Sequence, residues 1–191
     1  MTAPAADSGE AAAPISEGTE PERDARPGGG DGDRNEERRG RGGGRAAAGR
    51  GAQVAYSDYI DAINARDGAA LCDLIPAAAI DELQAPVERG TCAATLTASI
   101  GYRDPRGFPV WRRTHLSAID RTEVSADLGS ARITAAIVTE FADRDEPSVE
   151  SDIAYLERAG GGWRLAKPSS ALYRALGNAE PPPSVIAPPQ G

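Results

Sequence analysis

Large apolar side chains are missing from the first quarter of this chain. Before Ala52 the only large aliphatic residue besides Met1 is Ile15, and all nine aromatic residues lie from Tyr56 onward. A segment so poor in side chains worth burying cannot offset the entropy of ordering its backbone. Residues 1–51 are therefore expected to be disordered, an Ala/Pro/Glu-rich half followed by a Gly/Arg-rich linker, "RRGRGGGRAAAGRG". Residues 52–177 are long enough to close one core. Residues 178–191, ending in "EPPPSVIAPPQG", form a proline-rich tail that cannot join a sheet interior and is expected to be extended and disordered.

Charge narrows the partners. The formal net charge is -8, and after Gly51 there are 13 basic residues against 19 acidic ones, a net of -6 on the folded part. Phosphate contacts need concentrated positive charge, so nucleic acid is not an expected partner. The five arginines of the linker have no interleaved aromatics on which bases could stack, and the stretch reads as a solvated tether. Arginine outnumbers lysine twenty to one, Lys167 being the single lysine. No run approaches the roughly eighteen apolar residues of a membrane span. "MTAPAADSGEAAAP" also lacks the basic start and apolar core of a signal peptide.

Periodicity divides residues 52–177 into helices followed by strands. Tyr56, Tyr59, Ile60 and Ile63 recur at helical spacing, with a break at Gly68. A second helix carries Leu71, Cys72 and Leu74. Pro76 suits the first turn of a third, with Ile80 and Leu83 on one face, and Thr91 is placed to cap a fourth bearing Leu96 and Ile100. Beyond Gly101 the period falls to two. An edge strand is expected over Leu116–Ala126. In "SARITAAIVTEF" one face carries Ile133, Ala135, Ile137, Thr139 and Phe141; in "VESDIAYLER" Val149, Ile153 and Tyr155 oppose Glu150, Asp152 and Arg158. "GGG" then turns the chain into "WRLAKP", and Ser169 or Ser170 caps a last helical turn with Leu172, Tyr173 and Leu176. Short turns make these strands antiparallel neighbours. The fold class is α+β, N-terminal helices packed on one face of a curved antiparallel sheet.

Cys72 and Cys92 are twenty positions apart with helix breakers between them, which allows them to sit on adjacent helices. From the residues alone three states are open: a bridge, two buried thiols in a reducing compartment, or a reactive Cys92 in the first turn of a helix. Two thiols and one histidine do not suffice for a metal site.

The order "YSDYIDAINARDGAALCDLIPAAAIDEL", then "GTCAATL", then strands ending in "GGWRLAKPS", resembles the bacterial NTF2-like (SnoaL-like) superfamily across about residues 54–173, and within it the small extracytoplasmic-type members with a cysteine pair between the helices. The resemblance implies a cone-shaped fold whose sheet curls around a pocket, and a Cys72–Cys92 disulfide. It also implies folding outside the cytoplasm, secreted or tethered, with Met1 a misplaced start or a cut that discarded an upstream anchor; without it the expected location is the cytoplasm. Association as a homodimer through the sheet is the family's common mode.

The ketosteroid isomerase relatives use a carboxylate base with a tyrosine and a protonated acid as oxyanion donors. Tyr59 and Asp152 are the counterparts here, but strand alternation turns Asp152 toward water, out of reach of a bound substrate. His115 beside Arg112 and Arg113 reads as a strand-edge surface residue rather than the catalytic histidine of a dehydratase. The aromatic loop "GYRDPRGFPVWRRTH" is placed to plug the end of the core, to lid the cone mouth or to dock a partner. Tyr59, Trp111, His115, Tyr155 and Trp163 are the residues that would line a pocket. No catalytic residue, metal or cofactor is assigned. The expected function is a non-enzymatic accessory or ligand-binding module for a small apolar ligand or a protein partner. The alternative is a small isomerase or dehydratase acting on an apolar cyclic substrate.

Overall fold

The computed structural model describes residues 32–83, 90–100, 103–106, 110–178 and 180–189, with side chains from Gly43 onward. Helix α1 spans Gly32–Ala65, α2 Gly68–Leu74, α3 Ala77–Asp81 and α4 Cys92–Ile100. Strands β1 (Trp111–Val124), β2 (Ser130–Phe141), β3 (Ser148–Ala159) and β4 (Gly162–Leu165) follow, then α5 (Ser170–Ala175) and a single 3₁₀ turn, Pro183–Val185. The strands pair antiparallel in the order β1-β2-β3-β4, an open sheet with β1 at its edge as expected, although β1 begins at Trp111, five residues before Leu116. The architecture is α+β, with α1 lying along β1 and β4 and α5 against β1, β2 and β3.

The expected linker boundary at Gly51 does not hold. α1 continues back through residues 43–51 of the Gly/Arg stretch, and Ala48 is buried in the core. Smallness does here what apolar bulk does elsewhere. A Cβ on Gly51 would stand 2.9 Å from Trp163 Cδ1, and one on Gly49 3.7 Å from Thr122 and Val124 methyls. Gly49, Gly51 and Ala52 thus form a flat stripe that lets the helix lie close on β1 and β4. Arg45 fixes its upper end by donating from Nε (3.1 Å) and Nη2 (2.6 Å) to the Val124 carbonyl, and Gln53 Nε2 donates to Thr122 Oγ1 at 2.9 Å. The Ala/Pro/Glu-rich first 31 residues lie outside the described residues.

The break after α1 falls one step earlier than Gly68. Arg66 takes a left-handed conformation (φ 55°), and Asp67 Oδ1 accepts from Ala69 N and Ala70 N to start α2. Gly68 is needed for a different reason: a Cβ there would sit 2.1 Å from Ala93 O and 2.5 Å from Thr97 Oγ1. That contact brings α2 and α4 together, and across it Cys72 and Cys92 are joined, their Cα atoms 6.1 Å apart, within the range a bridge requires.

β2 faces the helices as its alternation predicts, with Ile133, Ala135, Ile137, Thr139 and Phe141 buried. In β3 the phase is reversed. Asp152, Ala154 and Leu156 are the buried residues, whereas Val149 is 72% exposed and Ile153 and Tyr155 point to the other face. Both faces of β3 carry apolar residues, so alternation alone gives no unique phase; the partners waiting for Asp152 on the inner face decide it. The tail is also not free. Val185 is 3% exposed, Tyr155 OH donates to Ile186 O at 2.9 Å, and Lys167 Nζ donates to the carbonyls of Ser184 and Ala187.

Candidate functional site

The interior between α1 and the sheet is where a cone pocket would lie. Tyr56, Tyr59, Ile60 and Ile63 descend from α1 into it, meeting Ile133 and Ile137 from β2, Leu156 from β3 and Leu165 from β4, each at most 2% exposed. These side chains occupy the hollow themselves. At its centre sits the carboxylate of Asp152, 1% exposed, at a β3 position paired with Ala135 of β2.

Both oxygens of Asp152 accept hydrogen bonds from the fold. Oδ2 accepts from Tyr56 OH at 2.7 Å. Oδ1 accepts from Ser170 N at 3.0 Å and from Ser170 Oγ through a short contact. One residue earlier, Ser169 N donates to the Tyr59 phenol oxygen at 3.1 Å. Why the sequence folds this way follows from elementary requirements. Two tyrosines at i and i+3 on an apolar helix face are buried together, and each hydroxyl must find a partner. "KPSS" stops β4, begins α5 and supplies free backbone N–H groups at the helix start, which favour an anion. Burial, and then the nearby Asp152 charge, push the Tyr56 phenol far above its ordinary pKa; burial raises that of Tyr59 as well, against the opposing bond from Ser169. Both tyrosines therefore stay protonated at any physiological pH.

Chemically this arrangement is a lock. A general base needs a lone pair aimed at substrate, and both oxygens of Asp152 are already taken by donors belonging to the fold. The expectation that Asp152 faces water is thus corrected: it is inward, but occupied. Tyr59, named as an oxyanion donor, is paired with Ser169, and the tyrosine that reaches the carboxylate is Tyr56, which the sequence marks only as part of the helical spacing of α1. Ser169 and Ser170 were expected only as caps; the Ser169 side chain makes no cap bond, and Ser170 serves Asp152.

The other pocket candidates are dispersed. Trp111 is 3% exposed and donates from Nε1 to Thr114 Oγ1 at 3.0 Å, so it plugs the core end. Trp163 packs over Gly51 with Arg158 stacked on its ring at 4.9 Å; its Nε1 has no hydrogen-bond partner among the described residues. His115 lies exposed on β1, its Nε2 3.2 Å from Glu140 Oε1, and Arg113 Nη2 reaches the same oxygen at 2.6 Å. Arg113 and then His115 hold the Glu140 carboxyl below the usual carboxylate range. His115 of this pair is exposed, and Glu140 lines a shallow depression with Arg112, Phe141 and Arg144. Tyr155 faces outward and meets the tail. Tyr102 and Phe108 of the aromatic loop lie outside the described residues. No group of three or more potential metal ligands occurs among the described residues.

Compared with family models, with curated proteins and with solved structures, the chain matches none. No described helix is long and apolar enough to cross a membrane.

Proposed function

We propose that this domain is a non-enzymatic binding or accessory module of the NTF2-like cone type that works outside the cytoplasm. The observation that carries the reading is the internal pairing of Asp152: this carboxylate, the one buried in the core among the described residues, is held by Tyr56 and Ser170 and serves to fasten α1 and α5 to β3. The filled interior supports it, as does the bridge between Cys72 and Cys92, which suits an oxidising compartment. The sheet's outer face, with Val149 exposed, is the surface a second copy would cover in the family's usual dimer.

One observation favours the isomerase reading instead: a carboxylate and two tyrosines, Asp152, Tyr56 and Tyr59, share one buried cluster, the group types that isomerase chemistry uses. A phenolic steroid, which mimics an enolate intermediate, separates the two readings. Titrated at micromolar concentration while Trp fluorescence is followed, it is expected to leave the spectrum unchanged. Saturable quenching that disappears in Tyr56→Phe, accompanied by turnover of an unconjugated ketosteroid in the wild-type protein and not in that variant, would establish a catalytic hollow and end the non-enzymatic reading.

A further inference from the structure

The tail and the surface beneath it are matched in a way that core packing does not require. The segment "PPPSVIAPP", residues 181–189, enters with Pro182 in polyproline geometry (φ -62°, ψ 148°), makes one 3₁₀ turn and buries Val185, which lies outside the main core cluster. Prolines have no N–H, so this segment is rich in carbonyl acceptors it cannot satisfy itself. The surface answers with donors. Lys167 Nζ donates to Ser184 O and Ala187 O, Tyr155 OH donates to Ile186 O, and the same ammonium lies 5.0 Å from the centre of the Tyr155 ring. Lys167 is the only lysine in a chain with twenty arginines, and a compact ammonium with three rotatable N–H donors suits two converging carbonyls better than a flat guanidinium fork. An aromatic wall with a donor at its tip, set against a proline-rich backbone, is a recurring mode of peptide recognition.

The tail also underfills its bed. Depressions of about 520 Å³ and 560 Å³ lie on either side of Pro188 and Pro189, the first reaching Pro76, Ala79 and Glu82, the second Glu123, Arg132 and Glu157. Both share Ala166, Pro188 and Pro189, so the end of the tail divides one continuous trough that a longer ligand would fill on both sides.

We propose that the trough formed by Tyr155, Lys167 and α3 is a docking site for a proline-flanked aliphatic turn of a partner protein, and that residues 181–189 occupy it in cis as a competitor. A tethered tail acts at an effective concentration of roughly millimolar, so the site opens to a partner only when that partner binds more tightly or the tail is withdrawn. The surface is separate from the Asp152 interior, and failure of this proposal would leave the reading of the interior standing.

The test uses a synthetic nonapeptide of residues 181–189 and two forms of the protein, the full chain and one ending at Asn178. Biosynthetic incorporation of lysine labelled with 15N at Nζ and 13C at Cε places a side-chain NMR reporter on Lys167, the single lysine, and leaves its N–H donors intact. In the truncated form the peptide is expected to bind one to one and to shift that signal to its full-chain position. In the full chain its apparent affinity is expected to be at least tenfold lower. Tyr155→Phe in the truncated form is expected to weaken binding about tenfold, and a peptide carrying Val185→Asp to abolish it. Should the truncated form not fold, Val185→Asp in the full chain releases the tail and takes its place. Three outcomes overturn the proposal: no binding to the folded, tail-free protein, equal binding to both forms, or light scattering that shows two copies exchanging tails.

Discussion

At the scale of single residues the structure turns on donors and acceptors that have no water to fall back on. Tyr56 and Tyr59 illustrate it: their hydroxyls lie 0% exposed beneath α1, and burial keeps both phenols protonated. The consequence has a definite sign. A phenol whose folded pKa lies above its unfolded value of about 10 holds its proton longer in the native state, so its stabilising effect is complete below that pH and is lost as pH rises above it. Alkaline titration followed at the phenolate absorbance should show these two tyrosines ionising only as the protein unfolds, in one cooperative step. Stability should fall by up to about 1.4 kcal/mol per pH unit for each of them above pH ~10. A gradual titration of all five tyrosines in the still-folded protein would contradict their burial. Trp163 is the opposite case, an indole N–H without a partner among the described residues where α1 crosses at Gly51. The close helix approach there is favoured over a satisfied donor.

At the scale of elements, small residues and one covalent link set how closely the helices lie. Gly68→Ala would drive a methyl group into the Ala93 carbonyl and Thr97 hydroxyl of α4, and overpacking of this kind destabilises by about 1–3 kcal/mol or more. The same helix pair carries the Cys72–Cys92 bridge, which in the chain-entropy model contributes about 3 kcal/mol. Cys72→Ser should therefore lower the melting temperature in oxidising buffer and have little effect in reductant; equal melting of both proteins under both conditions would show that no bridge forms. Helix α1 yields a truncation series. Removal of residues 1–42 should leave cooperative unfolding intact. Removal of residues 1–51 discards Arg45 and Ala48 and should lower the denaturation midpoint, and midpoints that coincide would place the domain boundary back at Gly51.

At the scale of the whole molecule, helical and strand elements were readable in order because their periodicity is local: Tyr56 to Ile63 on α1, Leu96 and Ile100 on α4, and the inner face of β2 are all where spacing puts them. The candidate site was much less so, for a physical reason that repeats. Scales of hydrophobic burial count bulk, and three decisive features are not bulky. The glycine–alanine stripe of α1 packs through its absence of side chains. Asp152 is buried because Tyr56 and Ser170, 96 and 18 positions away, bring donors to it. The proline tail docks because Lys167 and Tyr155 take up carbonyls that the tail cannot satisfy alone. Pairings across such distances leave no spacing to read. The two adjacent tyrosines and the "PSS" at a helix start were the only local hints, and they signal buried hydroxyls and a cap without saying which acid they serve.

Asp152 is the internal fastening between α1, α5 and β3. A double-mutant cycle on Asp152→Ala and Tyr56→Phe, read by urea unfolding, measures that directly. Asp152→Ala is expected to cost about 3 kcal/mol, because it strands the Tyr56 and Ser170 hydroxyls in the core. Tyr56→Phe is expected to cost about 1 kcal/mol or more, and the pair should be non-additive by at least about 1 kcal/mol. Wild-type stability in Asp152→Ala, or strict additivity of the two substitutions, would show that this carboxylate fastens nothing.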